Sequence, residues 1–233
     1  MPYGYYGYYF DPTYILIIIA AIISLIAQWR VNSAFSKYSR VASMSGMTGA
    51  QAARMILQSN GINDVSVQRI SGKLTDHYNP STKVLNLSES VYGSTSVAAI
   101  GVAAHECGHA VQHQVGYVPI KIRNGIVPIV NVCNTLSMPI FIIGLILGLG
   151  RLAMVGAILF GAVLVFQLVT LPTEINASRR AMKTLESMYL LEGDELTGAR
   201  KTLTAAAMTY VAAVASTALQ FLRLVLLANR RRD

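Results

Sequence analysis

Charge is scarce in this chain. Only 13% of its 233 residues are Asp, Glu, Lys or Arg, against roughly 25% in ordinary soluble domains. With 53% hydrophobic residues and a mean hydropathy of +0.47, this shortage excludes an ordinary soluble enzyme and points to the membrane. Acid is scarcer than base, 11 residues against 19. The excess base lies beside apolar runs and forms no patch interleaved with aromatics, so nucleic acid is excluded as a partner. Only two cysteines are present, Cys107 and Cys133. They imply no disulfide framework and suit a reducing compartment. Lys and Arg are absent from the first 29 residues, so the start lacks the charged region of a secretory signal. No internal repeat or low-complexity linker follows the tyrosine-rich opening.

What is present is a set of long apolar runs. "YILIIIAAIISLIAQW" (14–29) follows a tyrosine belt and is closed by Trp29. Interfacial aromatics flanking an uncharged run read as a membrane span. Residues 126–150 and 152–172, split by Arg151, read as a helical hairpin. The last run, 202–233, is Ala- and Thr-rich and broken by Arg223. It reads as a helix packed on the catalytic domain or lying at the interface. Arg30, Lys37, Arg40, Lys121, Arg123, Arg179, Arg180 and Lys183 flank the three spans on one side. The positive-inside bias makes that side cytoplasmic, with the N-terminus outside. Three spans also keep Arg230, Arg231 and Arg232 inside. A plasma (inner) membrane of a bacterial cell is the expected location.

The expected architecture is a mainly α integral membrane protein with about three transmembrane helices and a small α+β domain carrying a short β-sheet. Residues 1–30 form the tail and first span, 31–124 the cytoplasmic domain, 125–172 the hairpin, and 173–233 two further helices. Within the domain, "MTGAQAARMILQSNGI" predicts a helix capped by Thr48 and stopped by Gly61, with Ala52, Met55, Ile56 and Leu57 as its apolar stripe. "DVSVQRI" and "KVLNLS" predict strands, joined by a connection that turns at Asn79-Pro80. "TEINASRRAMKTLESMYLL" predicts a helix starting just after Pro172.

The chemistry is concentrated in "SVAAIGVAAHECGHAVQHQ" (96–114). His105 and His109 are four apart, on one face of a predicted helix. Their imidazoles can address one Zn²⁺. Glu106 then stands beside the open position of the metal, where a carboxylate can take a proton from water. This is the H-E-x-x-H arrangement of metalloproteases. The small and apolar flanks predict a buried helix, in which a His-Glu-His cluster is costly unless paired or metal-bound. Gly108 would let another helix approach. His113 lies two turns from His105, about 12 Å along the axis, too far to share the ion. It reads as a helix-end or supporting polar residue. Cys107 points some 200° away from His105 by the pitch of the helix. A third ligand must come from elsewhere, and Glu174 is favoured at the membrane end of the third span. Glu186, Glu192 and Glu195 are alternatives.

"LTDHYNPSTKVLNLSESVY", "AAHECGHAVQH" and "LPTEINASRRA" resemble the YugP-type family of membrane zinc metallopeptidases over almost the whole chain. The resemblance implies a wider likeness to the HtpX and CaaX-protease gluzincins, and so a small α+β zincin-like catalytic domain with a short β-sheet. In that class the third ligand is a Glu on a later helix, followed four residues on by Asp. Glu174 matches the ligand, but Ser178 stands where the Asp would be. Asn176 or Ser178 would have to replace its hydrogen bond.

The expected function is cytoplasmic-side hydrolysis of peptide bonds in membrane-associated proteins. Glu106 is the base, and His77, Tyr78 or Arg180 a candidate aid to the oxyanion. "KVLNLS" is a candidate for strand addition to an extended substrate. The rival is a membrane scaffold or assembly factor with structural zinc, which would want four ligands. A channel is disfavoured because the three spans carry no Asp, Glu, Lys or His. Partners expected are a protein or peptide substrate and the bilayer, with room for an oligomer or a regulatory membrane partner.

Overall fold

The structure, a computed structural model, describes residues 11–230. Most of the tyrosine belt, together with Arg231 and Arg232, lies outside the described residues. Helices α1 (Tyr14–Tyr38), α5 (Val118–Ile146), α6 (Gly150–Ser187) and α7 (Gly193–Asn229) are each long and apolar enough to cross a membrane. Between α1 and α5 lie α2 (Gly49–Ser59), β1 (Ser66–Ile70), β2 (His77–Asn79), β3 (Val84–Ser88), α3 (Glu89–Tyr92) and α4 (Val97–Gln114).

Local signals place these elements. Thr48 and Gln51 form a reciprocal capping box at the start of α2, satisfying two donors that a helix start leaves orphaned. Asn60 ends the helix, and Gly61 follows at φ +70°, a left-handed position that glycine takes without Cβ strain. Met55 departs from the expected stripe and is exposed, while Ile56 and Leu57 enter the core. Ser96 caps α4 by accepting from the Ala99 amide. Most of α4 is buried, because α2, α6, α7 and the sheet all pack on it.

The sheet has order β1-β3-β2. β1 runs parallel to β3 and β2 antiparallel. β2 lies in the stretch expected to be a connection. Its three residues carry little pattern of their own and are held by pairing with β3. β3 is consequently the central strand, with both edges taken. A substrate strand cannot add to "KVLNLS" as expected, and the edge on that side belongs to β2.

Two further expectations change. α6 does not end at Pro172 but runs through it to Ser187. Proline removes one backbone donor and crowds the preceding turn, yet such kinks are tolerated where neighbouring helices and Ser/Thr side chains serve the freed carbonyls. Pro172 deprives the Leu168 carbonyl of its donor, and the Thr173 hydroxyl donates to the adjacent Val169 carbonyl. The helix after the third span is therefore the same rigid rod.

The last helix is also longer in reach than expected. Its start packs on the domain at α4, as expected, and the helix then runs antiparallel to α1. Ser216 donates to the Ala20 carbonyl and lies 2.9 Å from Ser24 Oγ. Arg230 pairs with Asp11 at 2.9 Å. Leu224 and Ala228 pack against Phe141, Ala153 and Ala157 at the α5–α6 turn. Arg230 thus sits at the end of the bundle that holds Asp11, with an acidic partner for its charge. Close crossing of α5 and α6 comes from Gly144 and Gly156, where a Cβ would strike the backbone of Ala153 and of Phe141.

Candidate metal centre

α4 and α6 cross at Gly108. A Cβ there would lie 2.7 Å from the Ala177 carbonyl oxygen, so only glycine permits this separation. The crossing sets Glu174, two residues beyond Pro172 on α6, against the two imidazoles of α4. His105 Nε2 lies 3.3 Å and His109 Nε2 3.4 Å from Glu174 Oε2. The two rings stand edge to face, centroids 4.8 Å apart. Tetrahedral zinc ligands about 2.0–2.2 Å from the ion are separated by roughly 3.4 Å. Both imidazole-to-carboxylate separations match this, all three donor atoms lie within 4.8 Å of one another, and their types suit zinc. Among the described residues no fourth His, Cys, Asp or Glu joins the group.

Each ligand candidate is held from behind. Ser178 Oγ lies 3.0 Å from His105 Nδ1, accepting its proton when Nε2 faces Glu174. Ser178 thus supplies a hydrogen bond at the position where the resemblance implied an Asp. Gln112 Oε1 lies 3.0 Å from His109 Nδ1 and accepts in the same way. Gln112 Nε2 donates in turn to the Thr173 carbonyl and to Asn176 Oδ1, and Arg180 Nε donates to the same Asn176 oxygen. Such outer bonds fix ring orientation and tautomer. Gln112 was not singled out in the sequence, although its place three residues after His109 puts it on the same face.

Burial and charge shape the electrostatics. Glu174 is only 2% exposed, which for a lone carboxylate would be expensive. Burial depresses the His109 imidazole, but its hydrogen bonds to Glu174 and Gln112 and the nearby Glu106 and Glu174 charges together outweigh that and raise its pKa above the ordinary value. Arg123 Nη1 of α5 adds a cation 3.8 Å from Glu174 Oε1. Glu106, 7% exposed, lines a polar cleft of about 160 Å³ together with both imidazoles, Glu174 and Arg123. Asp76 enters the same cleft. Burial lifts its carboxyl above the usual range, against the Ser88 amide and hydroxyl that donate to it. Tyr210 of α7 completes the wall. Asp76 lies in a quoted family block and Arg123 among the flanking cations, but neither they nor Tyr210 had a site role in the sequence, and the tertiary structure brings them here.

Of the other sequence candidates, His77 and Tyr78 line the same cleft and the rest sit elsewhere. His77 lines the cleft, but both its ring nitrogens are engaged, by the Thr75 carbonyl and by Asn86. The Tyr78 hydroxyl is 3.2 Å from His113 Nδ1, so the two support each other. Arg180 faces a separate hollow of about 390 Å³ with Lys183. Glu195 accepts from the Met44 amide and the Ser43 hydroxyl, while Glu186 and Glu192 are exposed. Cys107 faces α2, donating to the Ala53 carbonyl. Its burial pushes the thiol well above its ordinary pKa, which leaves it a poor nucleophile and a poor ligand.

Comparison with known proteins gives two matches. The family described as "Putative neutral zinc metallopeptidase" matches residues 13–229. "Putative membrane protease YugP" of Bacillus subtilis (strain 168) is 45% identical over 221 residues, covering 94% of this chain and 98% of the relative. No solved structure matches the chain.

Proposed function

Because the chain belongs to the neutral zinc metallopeptidase family, we propose that it hydrolyses peptide bonds of membrane-associated proteins on the cytoplasmic side. His105, His109 and Glu174 hold Zn²⁺ and Glu106 is the catalytic base. The observation that carries this reading is the convergence of three donor atoms within 4.8 Å of one another, with Glu106 in the adjoining cleft. Three protein ligands leave a coordination position free, as catalytic zinc requires and structural zinc does not.

When bound, the zinc supplies Lewis acidity, polarising the scissile carbonyl and lowering the pKa of water. Glu106 takes the proton of the attacking water and passes it to the leaving amine. Ser178 and Gln112 keep the two imidazoles aimed. Arg123 adds positive charge to the cleft in which the carbonyl oxygen becomes negative. The β2 edge offers backbone groups to an extended substrate beside the cleft. Residues 31–117 and the adjoining ends of the long helices form the catalytic part, and four crossings anchor it. Lys37, Arg40, Lys121, Arg123, Arg179 and Lys183 at that end support a cytoplasmic placement.

The test uses protein purified in detergent or nanodiscs, loaded with zinc, and given casein or a membrane-protein substrate. Glu106→Gln should retain one zinc per chain and lose about 10²–10⁴-fold in kcat/KM, the usual worth of a general base. Cleavage by this variant at the wild-type rate would remove Glu106 from the mechanism.

A further inference from the structure

The metal centre opens on two sides. The polar cleft under β2 is one. On the other side lies a cavity of about 210 Å³ that ends on His105, Glu106 and Glu174. Its walls are mostly apolar, with Val31 of α1, Val102 of α4, and Leu203, Ala206 and Ala207 of α7, while Asp76, Ser178 and Tyr210 add polar atoms. Leu74, in the loop before β2, completes its lining. That residue is 40% exposed and sits at φ +57°. A left-handed leucine costs on the order of 1–3 kcal/mol and persists only when its surroundings enforce it. The backbone is thus strained where it brings an aliphatic side chain to a cavity beside polar ligands.

A second hollow, of about 370 Å³ between α6 and α7, adjoins this cavity and shares Ser178, Leu203 and Ala207 with it. Met208 and Val211 on that hollow's wall are exposed, facing the side on which the apolar helices meet lipid. Arg179 and Arg200 line the same hollow, as residues at a membrane boundary do. Alanines at 206 and 207 are what leave the inner cavity open, since larger side chains there would fill it.

The geometry points to a substrate-binding site for an apolar side chain flanking the scissile bond, reached along the α6–α7 groove. The substrate class is accordingly an apolar segment at or in the bilayer, with an aliphatic residue beside the cleaved bond. This assignment rests on the peptidase reading and specifies its substrate. The polar cleft takes the backbone on one side of the bond, and the apolar cavity takes the side chain on the other.

The experiment reads binding and hydrolysis separately. Zinc-loaded full-length protein in nanodiscs is titrated calorimetrically with short peptide hydroxamates. Two series carry hydrogen, methyl or isobutyl on one or the other side of the zinc-binding group. The isobutyl compound of one series should bind at least ten-fold tighter than the hydrogen compound, since a single methylene in an apolar pocket is worth about 10–200-fold. Ala207→Phe should collapse that ratio towards one, and the smaller Ala206→Val should reduce it partway. Flat affinities in both series, or a ratio unchanged in both variants, would overturn the cavity assignment. A parallel panel of peptides differing only at the residue beside the bond is assayed for cleavage. Hydrolysis without aliphatic preference would overturn the cavity assignment alone. Preferential hydroxamate binding with no hydrolysis of any peptide would overturn the peptidase reading, and with it the substrate class.

Discussion

At the scale of single residues, the centre depends on groups that never touch the metal. Gln112 is fully buried and spends both ends of its amide, accepting from His109 and donating to the Thr173 carbonyl and Asn176. Replacing it by Leu keeps the volume but frees the imidazole to rotate. Gln112→Leu should weaken zinc binding about 10–100-fold, the usual worth of such outer contacts, measured by competition with a chelator. The same measurement on Glu174→Ala should show loss of stoichiometric zinc. Zinc retained there in full would move the third ligand elsewhere. Ser178 shows how chemistry can substitute: a hydroxyl provides the hydrogen bond to His105 that the resemblance assigned to a carboxylate.

At the scale of elements, the site is a crossing of two helices. α4 supplies two imidazoles from one turn, and α6 supplies the carboxylate. Their separation is set where Gly108 meets the Ala177 backbone. Gly108→Val should therefore separate the helices and the donor atoms together. The expected cost is about 1–3 kcal/mol from overpacking, visible as a lower Tm and as a loss of zinc at chelator concentrations the wild type withstands. A lowered Tm with zinc fully retained would show that the crossing does not set the site. The unbroken run of α6 through Pro172 matters for the same reason. A break there would let Glu174 move independently of the span that delivers it.

At the scale of the whole molecule, α1, α5, α6 and α7 make an even number of long apolar helices. Asp11, the α5–α6 turn and Arg230 gather at one end of the bundle, and the metal centre lies at the other. Reporter enzymes inserted at Leu149 and fused after Arg230 should thus read the same side of the membrane, and one inserted at Gly93 the opposite side. A reporter after Arg230 that agreed with Gly93 would restore three crossings. The positive-inside bias of Arg230, Arg231 and Arg232 favours three crossings, whereas the length and apolar composition of α7 favour four.

The sequence alone determined what is local or periodic. The four-residue spacing of His105 and His109, the Thr48 cap, the strands around Val67 and Leu85, and the long uncharged runs follow from helix pitch, pleat and hydrophobic burial within a few residues. Glu174 was reachable because it lies just past an apolar run and matches a family block. Only the tertiary structure decided what depends on contacts across the chain. The central position of β3 follows from its pairing with β2, the course of α7 from its packing along α1, and the presence of Asp76, Arg123 and Tyr210 in the cleft from the way α5, α7 and the sheet converge on α4. No short stretch encodes these placements, because each is stabilised by surfaces that meet only after the chain has folded.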